Sequence, residues 1–167
     1  MLGFSAGGVR AFLLTAPALL LLSACGASLA TQGRTEQVIG RASYYSIMTE
    51  IPEVLGNVGY TVYDKRETSS ALYIETSWQE RAPFEDEAAV GVEYARTRFI
   101  ARAQKTTPQI FTLRLQAENQ VRGRSDESWH QSVGDWSTSP PTEMYEAYML
   151  DIFTEIKLRV AAGLRVY

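Results

Sequence analysis

The chain has 167 residues, of which 16 are Lys or Arg and 19 are Asp or Glu, giving a net charge of −3. This acidic balance argues against a general nucleic-acid binder, because such proteins carry an excess of basic side chains. With one cysteine and one histidine, the chain can form no internal disulfide and offers too few ligands for an ordinary zinc site. The length suits one globular domain.

The first 24 residues have the layout of a secretory signal. Arg10 is followed by the apolar run AFLLTAPALLLL (11–22) and then by the small residues Ser23 and Ala24. The run is too short to span a bilayer, which needs about 20 apolar residues. We therefore expect residues 1–24 to be a signal peptide that is removed.

The end of this segment, Leu22-Ser23-Ala24-Cys25, resembles the lipobox of bacterial lipoproteins. The resemblance implies cleavage before Cys25, a diacylglycerol on its thiol and acylation of the new amino terminus. Gly26 replaces the Asp that favours inner-membrane retention, which points to the outer membrane. The alternative is an ordinary secreted protein that is cut elsewhere. Apart from this covalent lipid on Cys25, we expect no cofactor.

The lipid on Cys25 would be a sufficient anchor, since each buried CH₂ contributes about 0.8 kcal/mol and two or three chains give stable attachment. Residues 26–34, GASLATQGR, are mostly small and polar. We expect residues 25–40 to form the lipidated cysteine and a flexible tether, and residues 41–167 to form a single α+β domain.

The mature chain begins with a predicted helix in RASYYSIMTEIPEVLGNVGY (41–60). Gly59 offers a left-handed stop, and Pro52 predicts a kink or two short helices that meet at Glu50–Pro52. The apolar residues recur at the spacing of one helix face: Tyr44, Ile47, Met48, Ile51, Val54, Leu55 and Val58.

Four strands are predicted next. A hairpin is predicted for YTVYDKR (60–66) and ALYIETSWQER (71–81). The acidic segment 82–94 is interpreted as a long connection, with or without a helical turn. RTRFIARAQK (96–105) and QIFTLRLQAENQV (109–121) supply the third and fourth strands. The residues expected on the core side are Leu72, Ile74, Thr76, Trp78, Phe99, Ala101, Ala103, Phe111, Leu113, Leu115 and Ala117.

A closing helix follows the long polar loop 122–141. Thr142 can cap this helix and Gly163 can end it. Its apolar stripe contains Tyr145, Tyr148, Met149, Ile152, Ile156 and Val160, broadened by Met144 and Phe153.

The predicted fold is therefore α+β: a four-stranded antiparallel sheet with an N-terminal and a C-terminal helix packed on one face, in the order α-β-β-β-β-α. The other face of the sheet would carry basic side chains, namely Lys65, Arg96, Arg98, Arg102 and Arg114.

Gly59-Tyr60-Thr61-Val62, between a helix and a strand, resembles the helix-grip lipoproteins of the outer-membrane β-barrel assembly machine, notably its C component. Those domains have a Gly-centred turn in the following hairpin, where this chain has Ser69-Ser70. The lipopolysaccharide-assembly lipoprotein is a similar topological match. A likeness at the level of the fold does not transfer function.

No catalytic or metal site is predicted. His130, with Asp126 or Asp135 and Ser132, has the residue types of a hydrolase triad, but they are too close in sequence for a strand or helix to set the geometry. The alternative is a histidine without a catalytic role, in a loop, that is exposed or stacked on Trp129. The acidic run at 85–87 lacks the spaced ligands of a calcium site and is interpreted as a solvated loop.

Two features are candidates for binding. Arg96, Arg98 and Arg102 share one strand face and would bind phosphate or an acidic partner. The alternative is a solvated face whose arginines pair with Glu75 or Glu118. Trp129 and Trp136, in the polar loop, either cover the end of the core or anchor a partner.

We expect a non-enzymatic lipoprotein on the periplasmic side of the outer membrane, a structural or accessory subunit that docks on an envelope protein. The alternative is a binder or carrier of an anionic lipid or lipopolysaccharide that uses the arginine-rich face. An envelope hydrolase that uses His130 is a remote third option. The expected partners are the membrane, through the lipid, and an envelope protein, but no nucleic acid.

Overall fold

The computed structural model describes residues 33–123 and 135–164, which form seven strands and three helices. The predicted signal segment 1–24, Cys25 and the part of the polar loop that holds Trp129 and His130 lie outside the described residues. In chain order the elements are β1 (Arg34–Ser43), α1 (Tyr44–Asn57), β2 (Val62–Glu67), β3 (Ala71–Thr76), β4 (Gln79–Arg81), α2 (Glu85–Ala89), β5 (Val92–Lys105), β6 (Ile110–Gly123), β7 (Ser137–Thr138) and α3 (Glu143–Ala162).

One antiparallel sheet organises the fold. Its strands lie in the order β1-β6-β5-β3-β2, with β4 beside β5 and β7 beside β6. β5 and β6, each 14 residues long, form the central hairpin. Helices α1 and α3 contact each other and β1, and their buried residues join those of the sheet in one core. The fold class is α+β with an antiparallel sheet, as predicted.

The sheet is larger than the four strands that the sequence predicted. Those four correspond to β2, β3, β5 and β6, and short strands β4 and β7 extend the sheet beside β5 and β6. The acidic connection 82–94 contains α2. The predicted inward residues of the two central strands are buried in the core: Phe99, Ala101, Ala103, Phe111, Leu113, Leu115 and Ala117.

Strand β1 corrects the predicted tether. Residues 34–40, which the sequence assigned to the tether, belong to β1, which runs antiparallel to β6 from Arg34 opposite Glu118 to Ser43 opposite Ile110. The sheet therefore begins before residue 41. The sequence of this strand shows little alternation of apolar and polar residues, for two reasons. Its first inward-facing residues, Thr35 and Gln37, are polar, and a bulge between Val38 and Gly40 then changes which residues face inward.

Helix α1 is one element from Tyr44 to Asn57 with Pro52 inside it. Of the two alternatives predicted for Pro52, a kink or two short helices that meet at Glu50–Pro52, the second is therefore wrong. Proline removes one backbone donor, but the residues around it (Ile51, Val54 and Leu55) are almost fully buried. Burial of this face keeps the helix in place despite the lost hydrogen bond.

Helix α3 has the predicted caps and the predicted apolar stripe. The Thr142 hydroxyl accepts a hydrogen bond from the Tyr145 amide, and Gly163 follows the last turn as the C-cap. Gly163 also lies so close to α1 that a Cβ on it would come 2.1 Å from Ser46 Oγ. The buried residues of the stripe are Tyr145, Met149, Ile152, Phe153, Ile156 and Val160, whereas Met144 is exposed.

Candidate functional site

The face of the sheet opposite the helices, called the outer face here, carries the predicted arginines. Phe99, Ala101 and Ala103 of β5 point into the core. Since side chains alternate along a strand, Arg96, Arg98 and Arg102 lie on the outer face, as predicted. Residue pairing places Arg114 of β6 on the same face, directly opposite Arg102.

Lys65 is not on this face, which corrects the prediction. The pairing of β2 with β3 shifts between Val62 and Asp64, so Lys65 lies opposite buried Ile74 and Arg66 lies opposite Tyr73. A bulge of one residue reverses the facing of every later residue on the strand. Arg66 therefore occupies the outer-face position that was predicted for Lys65.

Arg98 is neutralised within the sheet. It forms ion pairs with Glu75 of β3 and with Glu118 of β6, the second at 2.7 Å. Arg34 of β1 adds a further contact with Glu118 at 3.2 Å. This is the cross-strand pairing that the sequence offered as the alternative to ligand binding, and for Arg98 it is the arrangement present.

Arg96 and Arg102 have amide partners instead. Arg96 donates two hydrogen bonds to Gln120 Oε1, at 2.9 and 2.6 Å, and Arg102 donates to Gln116 Oε1. Among the described residues, neither arginine forms an ion pair. Burial lowers the pKa of Arg96, an effect that nearby Glu80 opposes and nearby Arg98 reinforces. Both guanidinium groups are thus bonded to neutral amides and not to carboxylates.

Trp78, predicted to point inward with Leu72, Ile74 and Thr76, lies against the outer-face arginines. Its ring is 4.8 Å from the Arg96 guanidinium carbon and 4.7 Å from that of Arg98. Strand β3 ends at Thr76, and the Ser77 amide bonds to the Thr61 carbonyl before β4 begins. This break ends the simple alternation, so the ring turns to the opposite side.

Trp136 extends the stack that Trp78 begins. Its ring lies 4.2 Å from the Arg96 guanidinium and 5.3 Å from that of Arg122, and Arg122 in turn lies 4.4 Å from the Tyr94 ring. Trp136 therefore lies against the outer-face arginines and is not among the residues of the hydrophobic core. We call this row the arginine–aromatic ladder; in order along the face it contains Arg98, Trp78, Arg96, Trp136, Arg122 and Tyr94.

A cluster of polar residues is buried on the helix side of the sheet. Arg81 makes a two-point ion pair with Glu87, at 2.6 and 2.7 Å, and Asn119 bonds to both. The Arg81 guanidinium also lies 5.3 Å from the ring of fully buried Tyr145. Glu87 is 2% exposed, which corrects the interpretation of residues 85–87 as a solvated loop.

Two of the three acids of α2, Asp86 and Glu87, hold this helix to its neighbours. Burial acts to raise the pKa of Glu87, but hydrogen bonds from Arg81, the Phe84 amide and Asn119 outweigh it and leave the pKa below its usual value. Asp86 accepts from the Met144 amide in the first turn of α3, and such bonds likewise lower its pKa against the effect of desolvation. Both carboxylates are therefore engaged inside the fold.

Several predicted site residues lie outside the described part of the chain: Cys25, Trp129, and His130 with Asp126 and Ser132. Within residues 33–123 and 135–164, no group of acidic, histidine or cysteine side chains is arranged to hold a metal ion. In the same ranges, no helix has the length and apolarity needed to cross a bilayer.

Comparison with known proteins adds no relative: no family model matches the chain, and no curated protein matches it.

Proposed function

We propose that this protein is an envelope lipoprotein, anchored through Cys25 at the outer membrane with its domain in the periplasm, and that it acts as a non-enzymatic accessory subunit of an envelope protein complex. The lipobox-like residues 22–25 support the anchor. The arginine–aromatic ladder supports docking on a protein partner and is the observation on which the proposal depends.

The ladder has the residue types that dominate binding energy at protein interfaces, which are Trp, Tyr and Arg. Its rings and guanidinium groups stack on one another, which holds the side chains before a partner arrives. A surface that is ordered in advance loses less side-chain entropy on binding. Tyr94, at one end, is 50% exposed. All three described helices pack on the other side of the sheet, so they leave this face accessible.

The charge of the outer face indicates an acidic partner. The whole chain carries −3, yet the described outer face carries more arginines than carboxylates. An excess of positive charge on one face favours association with a negative surface and speeds the encounter. The arginines are Arg34, Arg41, Arg66, Arg96, Arg98, Arg102, Arg114 and Arg122, and the acids are Glu36, Asp64, Glu75, Glu80 and Glu118.

Site-specific crosslinking in cells tests the docking surface. An aromatic photo-crosslinker replaces Tyr94 on the outer face, and the matched control replaces Leu158, which is 64% exposed on α3. We expect one discrete protein adduct from position 94, none from position 158, and loss of the adduct when Trp136→Ala is added. The same adduct from both positions, or no adduct from position 94, would contradict the docking proposal.

Labelling with palmitate tests the anchor separately. The wild-type chain should incorporate the label and sediment with membranes, and Cys25→Ser should abolish both. Incorporation that survives this substitution would refute lipidation at Cys25. The crosslinking experiment tests the outer face of the domain, and the labelling experiment tests Cys25. A negative result in one therefore does not affect the conclusion drawn from the other.

A further inference from the structure

A second group of arginines lies on the outer face, at the corner where β1, β5 and β6 meet. Arg102 and Arg114 are directly opposite each other on β5 and β6. Arg41 of β1 is opposite Thr112, two residues from Arg114 along β6. Neighbouring strands are roughly 5 Å apart and alternate residues roughly 7 Å apart, so the three long side chains can reach one point. All three are exposed.

The charge of this corner is only partly compensated. Arg114 contacts Glu36 at 3.3 Å, where both side chains are well exposed, and Arg102 bonds to the neutral amide of Gln116. Among the described residues, neither Arg41 nor Arg102 forms an ion pair. Two other acids of the outer face are engaged elsewhere: Asp64 with Arg66, and Glu75 with Arg98.

We propose that this corner, formed by Arg41, Arg102 and Arg114, binds a phosphate group. Guanidinium groups match the oxygen geometry of phosphate and donate two hydrogen bonds at once. Two arginines held directly opposite each other repel, and an anion between them removes that repulsion. The corner differs from Arg98 in this respect, because Arg98 already has two carboxylates of its own.

The phosphate has two chemical sources, a lipid headgroup and a soluble phosphate compound. The site does not depend on the proposed docking surface, because none of its three arginines belongs to the arginine–aromatic ladder. It revises the expectation of an anion-binding row at Arg96, Arg98 and Arg102: of these, only Arg102 belongs to the site.

The test uses the full chain with Cys25→Ser, so that a lipid on that residue cannot itself hold the protein on vesicles. One arm measures sedimentation with phosphatidylcholine vesicles that do or do not contain phosphatidic acid. The other arm measures inorganic phosphate binding by calorimetry. The site variant is Arg102→Gln with Arg114→Gln. The control is Lys65→Gln with Lys157→Gln, which removes the same charge from exposed positions away from the corner.

We expect binding of at least one probe, and a loss of roughly tenfold for each guanidinium removed in the site variant, with no comparable loss in the control. Binding of inorganic phosphate identifies a soluble source, and binding only of vesicles that contain phosphatidic acid identifies a lipid headgroup. Equal losses in both variants, or no binding of either probe by the parent chain, would overturn the proposal.

Discussion

Arg102 and Arg114 face each other across the central hairpin of the sheet, and among the described residues Glu36 is the one acid that pairs with the second of them. Like charges that lie directly opposite on an antiparallel pair cost stability, on the order of 0.2–1 kcal/mol. We therefore expect Arg102→Gln to raise the free energy of unfolding by a few tenths of a kcal/mol at low salt. The gain should shrink at high salt, where the repulsion is screened. Urea unfolding at two salt concentrations measures both effects.

The matched control for this substitution is Arg98→Gln on the same strand. This change removes the arginine that Glu75 shares with Glu118, which is 8% exposed and keeps only its contact with the more exposed Arg34 among the described cations. It should lower the free energy of unfolding, since it leaves two acids close together without their shared cation. If both substitutions change stability in the same direction, the repulsion assigned to Arg102 and Arg114 is incorrect.

The buried ion pair between Arg81 and Glu87 gives a second prediction. Glu87→Ala leaves the mostly buried Arg81 guanidinium without its carboxylate and should cost up to about 3–5 kcal/mol of stability. The combined change Arg81→Met with Glu87→Leu replaces both charges with apolar groups and should cost less than Glu87→Ala alone. Chemical denaturation of the two variants measures the difference. A double variant at least as unstable as Glu87→Ala would show that the charges themselves stabilise the fold.

Glu87 and Asp86 also predict a direction for the pH dependence. Both have a pKa in the folded state below the usual value, so the unfolded chain binds protons more readily as the pH falls. Their contribution to stability is complete above the unfolded pKa, about 4, and disappears as the pH falls through the lower folded value.

Glu87→Gln should therefore be less stable than the parent at pH 7 and should lose less stability on acidification. The two stability curves should approach each other below about pH 4, as followed by urea unfolding at several pH values. A constant gap between the curves would mean that Glu87 is not the source of the acid sensitivity.

The close approach of Gly163 to Ser46 predicts a steric effect at the junction of α3 and α1. A Cβ at residue 163 would come 2.1 Å from Ser46 Oγ and 3.3 Å from Ser46 Cβ. Gly163→Ala should lower the free energy of unfolding by about 1–3 kcal/mol, as is typical of overpacking. Adding Ser46→Ala removes the nearest atom and should restore part of the loss, a non-additive result expected of residues in contact.

Thermal unfolding of the two single variants and the double variant measures this coupling. If Gly163→Ala leaves the free energy of unfolding unchanged, α1 and α3 can move apart at this junction without cost.

The elements predicted well are those with strong apolar periodicity. The alternation in β5 and β6 and the stripe of α3 were sufficient to identify the core, because each element buries one side only. Arg96, Arg98 and Arg102 were placed on the correct face for the same reason. What this pattern could not show was which of the three arginines has a carboxylate partner, since that depends on the pairing of β5 with β3 and β6.

The errors have local causes that periodicity does not reveal. Bulges in β1 and β2 shift the facing of later residues, which hid β1 and misplaced Lys65. The end of β3 at Thr76 turned Trp78 to the outer face. The pair of Arg81 and Glu87 lies in a segment without apolar periodicity, so no sequence pattern pointed to a buried ion pair.

The position of β1 limits how far the body can sit from an anchor. If Cys25 holds the lipid, eight residues, 26–33, separate the attachment from the first residue of β1 at Arg34. Even fully extended, they span at most about 30 Å. This is roughly half the reach of the predicted tether, residues 25–40. Any assembly that the protein joins through such an anchor must then accommodate the domain with the start of β1 within about 30 Å of the attachment point.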